Sequence, residues 1–193
     1  MKRRTFDGVV TLVGFGLGIF LLIGAGLLNW GYTFANGTVK SQLEAQQITF
    51  PAETGNPKDD AATTAFFKEN GKKIMTTGKQ AQMYADYYIA FHMEKDPPYA
   101  AASGLNRAAA AALAADPTNV DLQAAAAKAK GTVESVFKGE MLRGTLLTSY
   151  AFWQLGEIAK IAATVTLVGG LLLLLLSILG LVHLRRTPHE ATI

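Results

Sequence analysis

The side chains best suited to chemistry in this sequence are sparse. Three histidines and no cysteines occur. His92 is followed by Met93, with Met75 and Met83 upstream, a set that suits a soft metal ion. His183 and His189 belong to the far end of the chain, so a two-histidine, one-carboxylate iron centre lacks its second histidine. Thiolate zinc sites and covalent haem attachment need cysteine. His92 is therefore read as a polar residue near a helix end, and no metal or cofactor is expected. A Ser–His–acid set would have to pair His92 with Ser41, Ser103, Ser135 or Ser149, and none of these sits in a nucleophile elbow. The glycine run VGFGLG, Val13 to Gly18, has the look of a dinucleotide loop but lies inside an apolar stretch with no strand before it. No catalytic residue is expected, and an enzyme is the least favoured class.

The elements that would hold these residues are dominated by two apolar runs. From Gly8 to Trp30 and from Ile161 to Leu184 no charged side chain occurs, and the second run holds six successive leucines, Leu171 to Leu176. At about 1.5 Å per residue, each is long enough to cross a hydrocarbon layer of roughly 30 Å. Lys2, Arg3 and Arg4 before the first run, with "TFA" at Thr33 to Ala35, also fit a signal peptide. The apolar stretch exceeds a signal core, however, and Trp30 and Tyr32 follow it, so an uncleaved anchor is the reading adopted.

Cations set the expected orientation. Lys2, Arg3 and Arg4 precede the first span and Arg185 and Arg186 follow the second, which puts both ends in the cytoplasm and the middle outside. Trp30, Tyr32, Tyr150 and Trp153 are expected at the outer interface. The net charge of +3 resides in the ends, and the middle is near neutral, so no nucleic-acid footprint is expected. Neither apolar run holds an Asp, Glu, Lys or Arg, which argues against a proton or ion path. Small residues do recur at four-residue spacing, as Gly14 and Gly18 in the first run and Ala162, Thr166 and Gly170 in the second. Such faces let helix backbones approach closely in lipid.

Between the spans, residues 33–57 are rich in turn formers and read as an extended linker. Tyr84, Tyr87, Tyr88 and Phe91 then fall on one helical face, with a stop before Pro97 and Pro98. An alanine-rich helix follows, ending at Asp116 and Pro117. Thr118 and Asp121 suggest a capping box for the last helix. Its stripe would be Leu122, Val133, Val136, Phe137, Met141 and Leu147, supported by a Glu134–Lys138 pair, with Gly139, Gly144 and Gly156 as places to bend. With no proline before Pro188, that helix is expected to run on into the second span.

The expected architecture is an all-α membrane protein, with two transmembrane helices flanking an extracytoplasmic helical bundle. Its parts are a cytoplasmic N-terminus (1–7), a first span (8–32), the linker (33–57), an extracytoplasmic helical domain (58–157), a second span (158–184) and a cytoplasmic tail (185–193).

The blocks TTGKQAQMYADYYI (76–89), KGEMLRGTLLTSYAFWQLGEIA (138–159) and GLVHLRR (180–186) resemble a group of small actinobacterial two-span membrane proteins. The resemblance implies a bacterial plasma-membrane location and this topology. The group often carries the label of aromatic ring-opening dioxygenase, which the histidine count here contradicts. A weaker similarity is to accessory subunits of respiratory supercomplexes. The function expected is a non-catalytic accessory or assembly subunit that docks on a larger integral membrane complex, which the weaker similarity implies to be a respiratory one. The alternative is an envelope-facing ligand-binding or sensing protein.

Overall fold

The computed structural model of the chain describes residues 3–186 and Pro188. His189 and most of the tail lie outside the described residues. The described residues form helices and loops, with no strand longer than the single bridge between Thr49 and Ile74. Helix α1 spans Arg3–Ala45, α2 Ala61–Asn70, α3 Gly78–Met83, α4 Ala90–Met93, α5 Tyr99–Ala115 and α6 Val120–Arg186. Between α3 and α4, Tyr84–Ile89 widens into a π-helical turn.

Two helices, α1 and α6, are long and apolar enough to cross a membrane. In their most apolar windows only 17% and 11% of residues are buried, so the aliphatic side chains face outward, unlike those of a core helix in a water-soluble protein. The chain divides into two units, one made of residues 1–37 and 154–193, the other of residues 38–153.

In the unit of residues 38–153 the core gathers around Phe50, Phe67 and Met75, each at most 1% exposed. Val39 and Leu43 from α1, Ala81, Met83, Ala85 and Ile89 from the α3–π segment, and Leu146 from α6 complete it. Phe50 and Phe67 approach to 4.7 Å between ring centroids. Removing such side chains from water contributes about 1.5–3 kcal/mol each.

Phe50 explains why residues 33–57 are not the extended linker that their composition suggests. The first thirteen of them continue α1 to Ala45, and the chain leaves the helix through Gln47, whose φ is +52°. Phe50 then exchanges backbone hydrogen bonds with the segment after α2: its N–H donates to the Lys73 carbonyl and its carbonyl accepts from Lys72 N–H, both at 2.8 Å. Met75 N–H donates to the Ile48 carbonyl at 2.9 Å. A single buried aromatic thus draws a turn-rich loop into the core.

Local caps fix the short helices. The Asp60 carboxylate accepts from Thr63 N–H at 2.6 Å and starts α2. Thr77 and Gln80 form a full capping box at the start of α3. At the start of α6 the cap is Asn119, whose side-chain oxygen accepts from Asp121 and Leu122 N–H at 3.1 and 3.2 Å. The expected cap, Thr118, instead donates to Asp116. The amide suits this position because its carbonyl reaches two of the helix's unpaired N–H groups at once.

The π turn also corrects the expected tyrosine face. An extra residue in the turn shifts the helical period, so Ala81, Ala85 and Ile89 point into the core, Tyr84 and Tyr88 pack at its edge, and Tyr87 is exposed. Helix α6 remains one element through all its glycines. Of the three expected as places to bend, two are contact points instead: a methyl group at Gly139 would fall on Met93, and one at Gly156 on Asn36. On the same helix Val136 and Leu146 are buried, whereas Phe137 and Met141, expected in the core stripe, are 50% and 55% exposed. Glu134 and Lys138 are not among the ion pairs of the described residues, where Arg143 instead reaches Asp86 at 3.4 Å.

Candidate functional site

In the unit of residues 1–37 and 154–193, α1 and α6 run antiparallel along a seam of small and polar residues. Each step forward along α1 meets a matching step back along α6. Thr11 lies against Gly180, and Gly14 against Ser177. Gly18 meets Gly170 and Leu174, and Leu22 lies over Gly170. Backbone meets backbone at Gly18 and Gly170, where a Cβ on either would come within 3.1–3.2 Å of the other's carbonyl oxygen. Small residues let the two backbones pack this closely, the arrangement that favours helix association where no hydrophobic drive acts between helices. Ala25 and Ala163 are buried nearby. Of the small residues singled out in the sequence, Gly14, Gly18 and Gly170 sit in the seam. Ala162 and Thr166 are half-buried, and the Thr166 hydroxyl turns back onto its own helix at the Ala162 and Ala163 carbonyls.

Polar groups close the seam at both ends. At one, Asp7 faces His183 Nε2 at 4.0 Å and Arg3 Nε at 3.9 Å. At the other, Asn36 donates to Glu157 at 2.6 Å, and the Lys160 ammonium lies 5.0 Å above the centre of the Tyr32 ring. Asp7 and Lys160 each stand one residue before an apolar run. Their pairing across helices was not readable from either run alone.

The four aromatic residues expected at an interface divide. Trp30 is 65% exposed and stacks on Phe34, and Tyr32 holds Lys160 as described. Trp153 packs at the edge of the 38–153 core, so close to Gly78 that a methyl group there would collide with it. Tyr150 stacks beside Trp153, with ring centroids 6.2 Å apart.

In the unit of residues 38–153, Tyr84, Tyr88 and His92 form a ladder with ring centroids 4.9 and 4.3 Å apart. His92 Nδ1 lies 2.7 Å from the Tyr88 carbonyl. Burial, and secondarily the neighbouring Tyr88, pushes the Tyr84 hydroxyl above its ordinary pKa. No group of three or more metal-ligating side chains occurs among the described residues. Away from this ladder, the Tyr99 and Phe137 rings meet at a tilt with centroids 5.9 Å apart, and with Met141 one turn further along α6 they form an exposed apolar patch. The sequence reading missed this patch because it assigned Phe137 and Met141 to the core.

Comparison with protein families, with characterised proteins and with solved structures finds no match for this chain.

Proposed function

We propose that this chain is a non-catalytic accessory subunit of a larger plasma-membrane complex, anchored by α1 and α6 and docked through the Tyr99–Phe137–Met141 patch. The basic flanks at Arg3, Arg4, Arg185 and Arg186 support cytoplasmic ends, which would place residues 38–153 on the extracytoplasmic side.

The patch is the observation that carries the reading. Two aromatic rings and a methionine, each about half exposed, cost free energy in water and are the residue types that anchor protein interfaces. The seam argues in the same direction by elimination. Gly14, Gly18 and Gly170 are already occupied within the chain, so docking has to use another surface. A second reading, a ligand-binding envelope protein, draws on the π turn beside the Tyr84–Tyr88–His92 ladder, since such turns are frequent at functional sites.

The test is purification of a tagged full-length chain from its native membrane in mild detergent. A stoichiometric membrane partner should accompany the natural chain and be lost from a Phe137→Glu, Met141→Glu variant that melts at the same temperature. Equal recovery with both chains would refute docking through this patch. A ligand-dependent rise in melting temperature that is abolished by Tyr88→Ala would support the second reading.

A further inference from the structure

At the Lys160 end of the seam, the two helices leave a groove of about 440 Å³ between them. Its floor is Ala25 and Ala163, both buried, and its apolar walls are Leu22 and Leu167. Its rim carries Asn29, Thr164 and Lys160. From rim to far wall it follows seven residue steps of each helix, Asn29 to Leu22 and Lys160 to Leu167, about 10 Å at 1.5 Å per step.

The rim holds a positive charge that pairs with no carboxylate among the described residues. Glu157, one turn away on the same helix, is the natural partner at i, i+3, but Asn36 engages it at 2.6 Å. Lys160 forms no ion pair with any described residue and instead rests over the Tyr32 ring. Asn29 brings amide N–H donors to the same rim. A cation and an amide at one end of an apolar groove match a ligand with an anionic head joined to a hydrocarbon tail.

We propose that this groove binds one anionic phospholipid, with its phosphate at Lys160 and Asn29 and an acyl chain lying along Leu22 and Leu167. The site rests on the two helices crossing a bilayer and is separate from the docking patch, so loss of lipid selectivity and loss of the protein partner are distinguishable outcomes.

The full-length chain is released from nanodiscs holding equal amounts of phosphatidylglycerol and phosphatidylcholine, and its retained lipids are counted by native mass spectrometry. The natural chain should retain phosphatidylglycerol about fivefold in preference, the scale set by one interfacial cation. Lys160→Gln should abolish that preference and Lys160→Arg should keep it. Gly26→Leu is the independent control: Gly26 lines the groove and nothing in the chain lies within 4 Å of a Cβ there, so the leucine fills the channel without disturbing the seam. It should remove both lipids while the melting temperature holds. The proposal is overturned if Lys160→Gln retains the preference, if Gly26→Leu retains lipid, or if the natural chain shows no preference. Competition by excess inorganic phosphate as strong as that by the lipid would mark a bare phosphate site and also overturn it.

Discussion

Gly18 and Gly170 meet backbone to backbone. The Gly170 carbonyl oxygen lies 3.2 Å from the point where Gly18 would carry a Cβ, and the Gly18 carbonyl 3.1 Å from the equivalent point on Gly170. Neither position has room for a side chain. Gly18→Leu or Gly170→Leu should push α1 and α6 apart and cost about 1–3 kcal/mol, the usual penalty of overpacking. Gly16→Leu and Gly24→Leu, where nothing lies within 4 Å of the added Cβ, should be silent. Thermal unfolding in detergent, read beside protease sensitivity, checks this. Equal melting of all four variants would show that the seam is not tight.

Gln80 ties three segments together. Its side-chain oxygen accepts from Thr76 N–H at 2.8 Å and Thr77 N–H at 3.0 Å, and its amide donates to Asn70 at 2.9 Å. Gln80→Ala should destabilise the chain by roughly 2–3 kcal/mol, near 1 kcal/mol per hydrogen bond lost. Thr77→Ala, which removes only the cap, should cost about 1 kcal/mol. Chemical unfolding of the full-length chain checks the ranking, and a larger loss at Thr77 would contradict it.

Two groups outside the apolar runs titrate in opposite senses. Tyr84 has its pKa raised above 10.0, mainly by burial. Its contribution is complete below the unfolded value and is lost as pH rises through the folded one, because the unfolded chain releases its proton first. Tyr84→Phe should therefore flatten the alkaline fall in stability. Asp60 has its pKa lowered below 3.8 by the Thr63 N–H. Its contribution is present above that value and is lost as pH falls through the folded pKa, and Asp60→Asn should keep the cap while removing the acid dependence. Melting temperature against pH reads both limbs.

Orientation has its own test. Gly55 has a φ of +82°, so a reporter cysteine is better placed at Lys58, which is exposed. On intact cells Lys58→Cys should react with an impermeant thiol reagent and Thr187→Cys should not. The reverse pattern would place residues 38–153 in the cytoplasm.

Apolar length was the most legible property of the sequence, because Gly8–Trp30 and Ile161–Leu184 need only be counted. Helix continuity in α6 followed from the absence of proline. The capping box at Thr77 is written in the letters TTGKQ, whereas at the start of α6 both Thr118 and Asn119 are good cap residues and nothing local says that Asn119 takes the position. Less legible was any feature that depends on pairing across the chain. Phe50 in a turn-rich segment becomes core only because Lys72 and Lys73 supply its backbone partners. The π turn changes which tyrosines face inward, and a strict 3.6 period cannot register it. Phe137 and Met141 share a helix with Val136 and Leu146, and periodicity on a helix covered by neighbours on one side alone does not say which stripe is left outside.

Site-specific photo-crosslinking tests the central claim most directly. A photoreactive phenylalanine analogue placed at Phe137 of the full-length chain, in its native membrane, should form one adduct with one integral membrane polypeptide, while the same group at the exposed Lys68 should form none. No adduct from Phe137, or an adduct only with a second copy of this chain, would contradict the reading of the protein as an accessory subunit docked through this patch.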